Sequence, residues 1–417
     1  MREMKDSGVP WIGEIPKGWS LRRIGQMYKE RRIKVSDKDF EPLSVTMKGV
    51  VPQLSTAAKT DAHDDRKLVR KGDFAINSRS DRRGSCGIAP QDGSVSLINT
   101  ILCPLSETNS AYLNWLFHST LFADEFYRWG HGIVDDLWTT NWSDMKRIYI
   151  PYPPLLEQQR IASFLDAQCA EIESILENTR ASIEDYKALK LSTITDAVTK
   201  GVRGDRLMKE SGVKWIGEIP AEWEAKAIKY SFHVVSGATP NTNIPEYWDG
   251  DLPWITPADY KTEDHYVSLG KRNLTKEGLD SCSAIMVPRG SIIFSKRAPI
   301  GTVAISNTNL CTNQGCLACI PFKANSEYFY FAFAAFKEFF ELFGSGTTFK
   351  EISITSFVNF RMPFPPIDEQ QEIAAYLDEK CSAIDALIAS KEALIFELEA
   401  YKKSIIYEYV TGKKEVI

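Results

Sequence analysis

The sequence has no long uncharged apolar segment. A helix that spans a membrane needs about 20 consecutive apolar residues, and charged residues interrupt every apolar stretch of this 417-residue chain before that length. The first six residues, M-R-E-M-K-D, are mostly charged, unlike the apolar core of a secretory signal. These absences predict a cytoplasmic protein that does not enter a membrane.

Motifs of ATP hydrolysis and of zinc hydrolases are also absent. The chain contains no G-x-x-x-x-G-K-[ST] loop, and its five histidines form no H-E-x-x-H pair. Y-P-P-L at residues 152–155 and F-P-P-I at residues 364–367 resemble the [ND]-P-P-[YF] tetrad of amino-methyltransferases. Both lack the polar first residue that would accept a hydrogen bond from the target amine. We therefore interpret the paired prolines as the end of a strand before a helix.

A nuclease-like cluster of carboxylates and a lysine is the last partial match to a catalytic motif. Asp378, Glu379 and Lys380 follow Asp368 closely in the chain. Their spacing agrees with the flanking charges of an amphipathic helix, which is the interpretation that we favour. We expect this chain to have no active site of its own.

Cysteine is scattered through the chain. The eight cysteines lie in a sequence large enough to build its cores without cross-links, which is typical of reduced thiols. Cys311, Cys316 and Cys319 could supply three zinc ligands, but no fourth Cys or His lies nearby in the sequence. Buried thiols in apolar strands are the favoured interpretation, and a zinc site is the alternative.

Charge is distributed unevenly. The net charge is −5, but residues 157–200 carry −3 and residues 368–408 carry −6, which leaves +4 for the rest of the chain. Positive charge is densest at residues 22–34, with six basic residues and one Glu, and at residues 66–83, with seven basic residues and two Asp. Such runs are either a solvated face or a surface that attracts nucleic acid.

The chain is a tandem duplication. D-S-G-V-P-W-I-G-E-I-P at residues 6–16 returns as E-S-G-V-K-W-I-G-E-I-P at residues 210–220, an offset of 204 with nine identical positions. P-P-x-x-E-Q-Q-x-I-A at residue 153 returns at residue 365, and V-T at residue 198 returns at residue 410, both with an offset of 212. A period this long predicts two domains, each with its own core, rather than the layers of a solenoid.

Each copy is predicted to end in a long helix. The apolar residues that follow the paired prolines step by threes, fours and sevens, as in a coiled coil. These are Ile161, Leu165, Ile172, Ile175, Ile183, Tyr186 and Leu189 in the first copy, and Ile373, Leu377, Ile384, Leu387, Leu394, Leu398, Tyr401 and Ile405 in the second. We expect the two helices to pair antiparallel, and the alternative is that each packs on its own domain.

The divergent middles of the two copies share one pattern, an apolar strand, a basic tip and a second apolar strand. It occurs at residues 72–89 and again at residues 290–305. Arg and Lys bind guanine edges and phosphates, and Asn binds adenine. The candidate DNA-binding residues in and around these tips are Lys48, Asn77, Arg79, Arg82 and Arg83 in the first copy, and Lys296 and Arg297 in the second.

The whole chain resembles the specificity subunits of type I restriction-modification systems. The resemblance rests on W-I-G-E-I-P-x-x-W at residues 11 and 215, on both P-P-x-x-E-Q-Q segments, and on S-G-A-T-P at residues 236–240 followed by Y-W-D-G-D-L-P-W-I at residues 247–255. G-S-G-T-T-F-K-E-I-S at residues 344–353 resembles a recurrent stretch late in the family's recognition domains, which adds Thr347 and Lys350 to the candidates. The first copy has the dissimilar G-H-G-I-V-D-D-L at residues 130–137 instead.

This resemblance implies an α/β (α+β) fold with two tandem mixed target-recognition domains, joined by two long helices in an antiparallel coiled coil with pseudo-two-fold symmetry. The expected boundaries are residues 1–153 and 204–365 for the domains, and 154–203 and 366–417 for the helices.

The resemblance also implies a function. One domain would bind each half of a bipartite, asymmetric site in double-stranded DNA, and the helices would set the spacer between the halves. Two methyltransferase subunits would dock on the chain, together with motor-nuclease subunits. S-adenosylmethionine, ATP and Mg²⁺ are expected on those partners and not on this chain. The alternative is a coiled-coil scaffold whose two domains bind proteins.

Overall fold

The computed structural model describes residues 2–54, 64–79, 83–105, 109–133, 138–344 and 350–416. The chain forms two compact units, Met1–Arg180 with Glu392–Ile417, and Ala181–Lys391. Each unit therefore holds the globular part of one copy, the first half of one long helix and the second half of the other. The boundaries expected at residues 153, 203 and 365 follow the sequence repeat and remain a prediction. Among the described residues, no helix is long and apolar enough to cross a membrane.

The first unit is mostly built from short strands and helices. Its described strands are β1 (Met4–Asp6), β2 (Glu14–Pro16), β3 (Ser20–Arg23), β4 (Tyr28–Glu30), β5 (Lys34–Val35), β6 (Leu43–Thr46), β7 (Gly49–Pro52), β8 (Arg66–Val69), β9 (Phe74–Asn77), β10 (Cys86–Ile88), β11 (Gly93–Ser96), β12 (Asn99–Pro104) and β13 (Tyr149–Tyr152). Its helices are α1 (Ile24–Met27), α2 (Ser110–His118), α3 (Thr120–Arg128), α4 (Trp142–Met145) and the first part of α5 (Leu155–Lys200).

An antiparallel sheet with the strand order β10-β9-β12-β4 forms the centre of the first unit. Both of its faces are covered, so all four residues of β9 are buried. Phe74 and Ile76 point into a core with Phe117 of α2, whose ring centroid lies 4.7 Å from that of Phe74. Ala75 faces a second cluster that includes Val45.

The second unit repeats this arrangement. Its strands are β14 (Met208–Glu210), β15 (Glu218–Pro220), β16 (Glu224–Ala227), β17 (Phe232–Ser236), β18 (Trp248–Ile255), β19 (Tyr266–Val267), β20 (Arg272–Leu274), β21 (Ile292–Ser295), β22 (Val303–Ser306), β23 (Cys311–Thr312), β24 (Cys316–Pro321) and β25 (Arg361–Phe364). Its helices are α6 (Lys276–Asp280), α7 (Ser326–Ala335), α8 (Lys337–Phe343), α9 (Ile354–Val358) and the first part of α10 (Ile367–Val410), with 3-10 turns at Ile228–Tyr230 and Pro245–Tyr247.

Its main sheet has the order β17-β24-β21-β22-β19. The first four strands match the order of the first unit, and β19 adds a parallel edge strand beside β22. The predicted strand–tip–strand pattern is confirmed in both copies, because β9 pairs antiparallel with β10, and β21 pairs antiparallel with β22. Two middles with little sequence in common therefore form one sheet topology.

The tryptophan-rich segment of the second copy forms a small core of its own. Trp248 and Trp254 pack edge to face with ring centroids 5.1 Å apart, and Trp254 Nε1 donates to the carbonyl of Ala238 at 3.0 Å. Gly237 is required in this segment, because a Cβ there would lie 2.0 Å from the carbonyl oxygen of Thr312. The S-G-A-T-P segment at residues 236–240 and the Y-W-D-G-D-L-P-W-I segment at residues 247–255 thus pack on each other.

The repeated motifs meet at the start of each long helix. In the first copy, Glu157 accepts a hydrogen bond from Trp19 Nε1 at 2.8 Å and pairs with Arg2 at 2.7 Å. Gln158, the next residue, donates Nε2 to the Pro153 carbonyl at 2.8 Å and accepts at Oε1 from the backbone N–H of Asn109, the N-cap of α2. The E-Q-Q motif therefore joins the helix start to the opening motif and to α2.

The same contacts recur in the second copy. Glu369 accepts from Trp223 Nε1 at 2.8 Å and pairs with Arg206. Gln370 donates to the Pro365 carbonyl at 2.8 Å and accepts from Asn325, the N-cap of α7. Negative charge in the first turn complements the helix dipole, and the glutamate and glutamine side chains also build this junction.

The end of the other long helix completes each junction. Tyr112 places its hydroxyl 2.9 Å from the carbonyl of Val410, and Tyr328 places its hydroxyl 3.1 Å from the carbonyl of Val198. Gly412 and Gly201 follow these helix ends with φ of +74° and +79°. A Cβ at Gly412 would lie 2.6 Å from the Pro16 side chain, so this close approach needs glycine as well. The repeated V-T segment that ends each long helix therefore belongs to the unit of the other copy.

Helices α5 and α10 pair antiparallel within each unit. In the first, Glu173 pairs with Lys402, and Arg180 pairs with Glu399 at 2.7 Å. In the second, Lys190 pairs with Asp385 at 2.6 Å. The beginning of each helix also packs on its own copy's core, so both of the packing modes considered from the sequence occur.

The seam of the two helices, a stripe of buried and half-buried residues, follows a strict alternation of three and four residues. It contains Ala162, Leu165, Cys169, Ile172, Leu176, Thr179, Ile183, Tyr186, Lys190, Thr193 and Ala197 on α5, and the residues 212 positions later on α10. The predicted stripe was partly wrong, because Ile175, Leu189, Leu387, Leu394 and Tyr401 are exposed. Small residues and the alkyl stems of lysines occupy the seam in their place. A search of the sequence for apolar residues alone does not detect such residues.

Candidate nucleic-acid interface

Asn77, Arg79 and Arg83 surround the tip between β9 and β10. Asn77 ends β9 and is 5% exposed, and its Oδ1 accepts from the backbone N–H of Arg79 at 3.0 Å. That bond occupies one of the two groups that an amide needs to pair with adenine. Arg79 is exposed, and its backbone forms a bridge with Thr139. Arg82 lies outside the described residues.

Arg83 lies against an aromatic ring and a carboxylate. Its guanidinium carbon is 3.6 Å from the ring centroid of Tyr127, and its Nη1 is 3.5 Å from Asp124 Oδ1. The three described candidates of this tip line one small hollow together with Tyr127 and Trp138. The structure therefore brings Asn77, Arg79 and Arg83 together, as the sequence pattern predicted.

Lys48 lies apart from the tip, in the turn between β6 and β7, where it is exposed. This turn packs on β10, since a Cβ at Gly87 would lie 2.7 Å from the Cα of Gly49. Lys48 also acts on α5. The pKa of the Glu173 carboxyl is lowered first by its hydrogen bond from Lys402, and in smaller part by the charges of Arg180 and Lys48.

Lys296 and Arg297 form the tip between β21 and β22, and one carboxylate holds both. Lys296 Nζ lies 2.9 Å from Glu351 Oε1, and Arg297 Nε donates to Glu351 Oε2 at 2.8 Å. The Lys296 side chain is 13% exposed, whereas that of Arg297 is 44% exposed. Arg297 therefore remains accessible to a ligand, and Lys296 is mostly enclosed.

The two candidates that came from the resemblance lie beside this tip in the sequence. Lys350 is exposed and directly precedes Glu351, whose segment pairs with the tip through the Ile352 N–H and the Lys296 carbonyl at 3.0 Å. Thr347 lies outside the described residues, as do residues 134–137 of the comparable stretch in the first copy.

The dense basic runs largely have internal partners. Arg22 stacks on Tyr152 at 4.1 Å, and Arg31 donates Nε to the buried Asp73 at 2.7 Å. Arg66 is 7% exposed and bonds Ser94, and burial lowers its pKa. These runs are therefore mainly structural, and the exposed tips are the better candidates for binding.

Cys311, Cys316 and Cys319 are buried free thiols, as predicted. Cys311 and Cys316 lie in β23 and β24, and burial raises the pKa of each thiol to about 12. Cys319 follows in β24 and is fully buried. Within the described ranges, no cluster of three or more His, Cys, Asp or Glu side chains could hold a metal ion.

Sequence reasoning missed the two carboxylates that face the tips. Asp124 lies on α3, far from Arg83 in sequence, and only the packing of α3 on the sheet brings the two together. Glu351 was inside a segment that we had singled out, but nothing in the sequence indicated that it reaches back to residues 296 and 297. These acidic partners reduce the net positive charge at both tips.

The two copies share one sheet topology and one set of junctions, and each carries an exposed arginine at a strand tip. These features define a duplicated binding protein whose two binding surfaces differ. The family model described as "Type I restriction modification DNA specificity domain" matches residues 16–185 and 220–400. The chain therefore belongs to the type I restriction-modification DNA specificity family, and the predicted family is confirmed.

Curated relatives of the chain are specificity subunits of type I restriction enzymes. The MjaIX specificity subunit of Methanocaldococcus jannaschii is 41% identical over 181 residues, 42% of this chain and 41% of that protein. The putative MjaX subunit of the same organism is 30% identical over 284 residues, 66% of this chain and 61% of that protein. The chain thus matches less than two thirds of the length of these two relatives. The MjaVIII subunit is 22% identical across 96% of this chain and 94% of that protein.

Two solved structures share the fold at 18% identity. A chain from a study of complex assembly and conformational transition of the type I R-M system has a TM-score of 0.76 and covers 96% of this chain and 99% of its own. The HsdS subunit from Thermoanaerobacter tengcongensis has a TM-score of 0.57 and covers 96% and 98%. The predicted fold class, two mixed α/β domains joined by long helices, is confirmed.

Proposed function

We propose that this chain is the sequence-reading subunit of a type I restriction-modification complex and that each copy reads one half of a bipartite DNA site. The observation that supports this most directly is the contrast between a duplicated frame and divergent tips. Equivalent junctions recur at the helix starts of both copies, whereas Arg79 and Arg83 stand at one tip and Arg297 at the other. Two different surfaces on one repeated support suit two different half-sites.

Exposed arginines supply the chemistry of this reading. Arginine binds guanine O6 and N7 with two donors, and lysine and arginine bind phosphates without regard to sequence. Lys48 and Lys350 are exposed cations that would take the phosphate role. Because the net charge is −5, the isolated chain is expected to bind DNA weakly and to need its partners for full affinity.

The catalytic steps belong to the partners in this proposal. Two methyltransferase subunits with S-adenosylmethionine would flip and methylate adenines, and motor-nuclease subunits would use ATP and Mg²⁺. This chain binds none of those cofactors and only positions the partners. Exposed apolar side chains at the helix starts and along α10, namely Leu156, Ile367 and Phe396, support the docking of other proteins.

The spacing between the two half-sites is assigned to the long helices. The seam residues keep one alternation of three and four positions along residues 162–197 and along residues 374–409. A helix of fixed length and register transmits a fixed distance of about 1.5 Å per residue. The helices would therefore determine the length of the unread spacer.

Methylation mapping tests the proposal. The chain is co-expressed with the methyltransferase encoded beside it, and modified adenines are mapped by single-molecule sequencing. We expect a bipartite motif with a gap that disappears when this chain is omitted. Methylation that persists unchanged without the chain would overturn the proposal.

A protein-binding scaffold is the second candidate function, favoured by the carboxylates that partly neutralise both tips. Retention of DNA by the assembled complex separates the two. A scaffold predicts equal retention by the native complex and by one with Arg83→Ala and Arg297→Ala. A DNA-reading subunit predicts weaker retention by the double variant.

A further inference from the structure

The tip of the second copy is held rigidly on both sides of Arg297. Ser295 donates its hydroxyl to the Arg297 carbonyl at 2.9 Å, and the Lys296 N–H donates to the Gly315 carbonyl at 3.0 Å. Arg297 also forms a backbone bridge with Glu351. The backbone that presents the arginine is therefore fixed before any ligand binds.

The contact between Arg297 and Glu351 uses only one edge of the guanidinium. Nε donates to Glu351 Oε2 at 2.8 Å. Within the described part of the chain, no hydrogen bond involves the two Nη atoms of Arg297. The planar guanidinium is thus oriented by its Nε edge, and no described residue forms a hydrogen bond with its Nη1–Nη2 end. Two donors at that end match the O6 and N7 acceptors of guanine.

Lys296 has a different place in the same cluster. Its ammonium lies 2.9 Å from the other carboxylate oxygen of Glu351, and its side chain is mostly enclosed. Two cations around one carboxylate leave a net charge of about +1. Burial tends to raise the pKa of the Glu351 carboxyl, but hydrogen bonds from Arg297 and Lys296 outweigh it, and the pKa lies below its ordinary value. The carboxylate therefore remains ionised at neutral pH.

We propose that Glu351 is a positioning residue for base recognition, which holds Arg297 by its Nε edge so that the Nη end binds a guanine in the half-site of the second copy. Lys296 balances the charge of Glu351 and does not contact a base. This proposal rests on the proposed function and deepens it at one residue. A fixed guanidinium loses less conformational freedom on binding, so its two hydrogen bonds contribute more to discrimination.

Guanine analogues test the proposal in the assembled methyltransferase complex. The guanines of each mapped half-site are replaced one at a time by 7-deazaguanine, which lacks the N7 acceptor, and binding is measured by competition. One substitution should weaken the native complex about 10-fold or more. In the Glu351→Gln variant, the same 7-deazaguanine substitution should weaken binding only a few-fold, and binding of unrelated DNA should be unchanged or stronger. Glu351→Asp restores the negative charge and should recover part of the lost sensitivity to 7-deazaguanine.

Matched variants separate the two levels of the argument. Asp124→Asn, at the other tip, should leave the 7-deazaguanine factor at this position unchanged. If Arg297→Ala keeps full discrimination at every guanine, the proposed function fails at this tip. If Arg297→Ala loses the discrimination between guanine and 7-deazaguanine but Glu351→Gln keeps it, only the positioning role of Glu351 is overturned.

A second substitution covers the case in which Glu351→Gln does not assemble. Arg297→Lys keeps the charge but replaces the planar group by a single ammonium, so the 7-deazaguanine factor should fall as it does in Glu351→Gln. Full discrimination by Arg297→Lys would overturn the positioning role. A half-site without any guanine would overturn it as well.

Discussion

The sheets β10-β9-β12-β4 and β22-β21-β24-β17 have the same strand order, yet the tips that they carry use different chemistry. In the first copy, Arg83 stacks on Tyr127 and lies 3.5 Å from Asp124. In the second, Arg297 and Lys296 share Glu351, and neither stacks on an aromatic ring of the described residues. Backbone pairing tolerates almost any apolar alternation, so a duplicated sheet can diverge at its tips while the order of its strands is kept.

The junctions behave in the opposite way. In each, a Trp ring nitrogen donates to a Glu carboxylate, and Gln and Tyr side chains bond backbone groups, so a substitution leaves a partner unsatisfied. That is why the motifs that form them are nearly identical in the two copies, although the sheets between them are not. Variation is concentrated in the sheets and at the tips rather than at the junctions.

The largest effect is expected from changing one long helix without the other. Four residues inserted after Asn178 lengthen α5 by about 6 Å and put the rest of its seam out of phase with α10. We expect methylation of the original motif to be lost. Seven residues inserted after both Asn178 and Ser390 keep the heptad phase and lengthen both helices by about 10 Å, equivalent to about three base pairs.

Methylation mapping of the matched insertion decides whether the helices measure the spacer. A longer spacer, with both half-sites unchanged, would agree with this role. An unchanged spacer in active complex would contradict it.

The two junctions should differ in their sensitivity to loss of the glutamate. The Glu369 side chain is 1% exposed and that of Glu157 is 25% exposed. Glu369→Ala leaves the buried Trp223 Nε1 without a partner and removes one of the two carboxylates that pair with Arg206, the other being Glu222. It should lower the free energy of unfolding by about 1–3 kcal/mol. Glu157→Ala should lower it by less, because water reaches that site.

Urea denaturation followed by circular dichroism measures both variants, with the exposed Glu372→Ala as the control. Equal losses at the two glutamates would show that burial does not distinguish the junctions.

The tips should be separable by substitution. Replacing Arg79, Arg82 and Arg83 by Ala should impair one half-site and spare the other, and replacing Lys296 and Arg297 should do the reverse. Each lost bidentate contact should reduce discrimination by about 1–3 kcal/mol. The mapped methylation motif of each variant gives the result, and equal relaxation of both half-sites by either variant would refute the assignment of tips to halves.

The smallest effect concerns a histidine that has no counterpart in the second copy. His118 ends α2, where burial lowers its pKa although its Nδ1 lies 2.7 Å from the Asn114 carbonyl. The folded protein therefore favours the neutral ring, and the unfolded chain binds the proton more readily below pH 6.5. Stability from this residue is present above that pH and is lost as the pH falls.

Urea midpoints at pH 7 and pH 5.5 test this difference. His118→Gln, which cannot titrate, should show a smaller decrease on acidification than the native protein. An equal decrease would exclude His118 as a source of the pH dependence.

The sequence predicted the architecture better than the seam and the site. Duplication, strand–tip–strand units and long helices follow from identities and periodicity, which need no knowledge of the partner surface. The seam was harder, because the half-buried Lys190 and Lys402 and the buried Thr179 occupy it, whereas Leu387 and Leu394 are exposed. Glu351 and Asp124 could not be assigned to the tips, since each is brought there by tertiary packing.

The exchange of helix ends between the copies has a consequence for biosynthesis. The second unit, Ala181–Lys391, is continuous in the chain, whereas the first needs Glu392–Ile417 to complete it. The hydroxyl of Tyr112 meets the carbonyl of Val410, which is translated 298 residues later. At about 5–20 residues per second, a ribosome needs tens of seconds to cover that distance. The amino-terminal domain therefore emerges first but matures last, and its unfinished junction is exposed to chaperones and proteases in the interval.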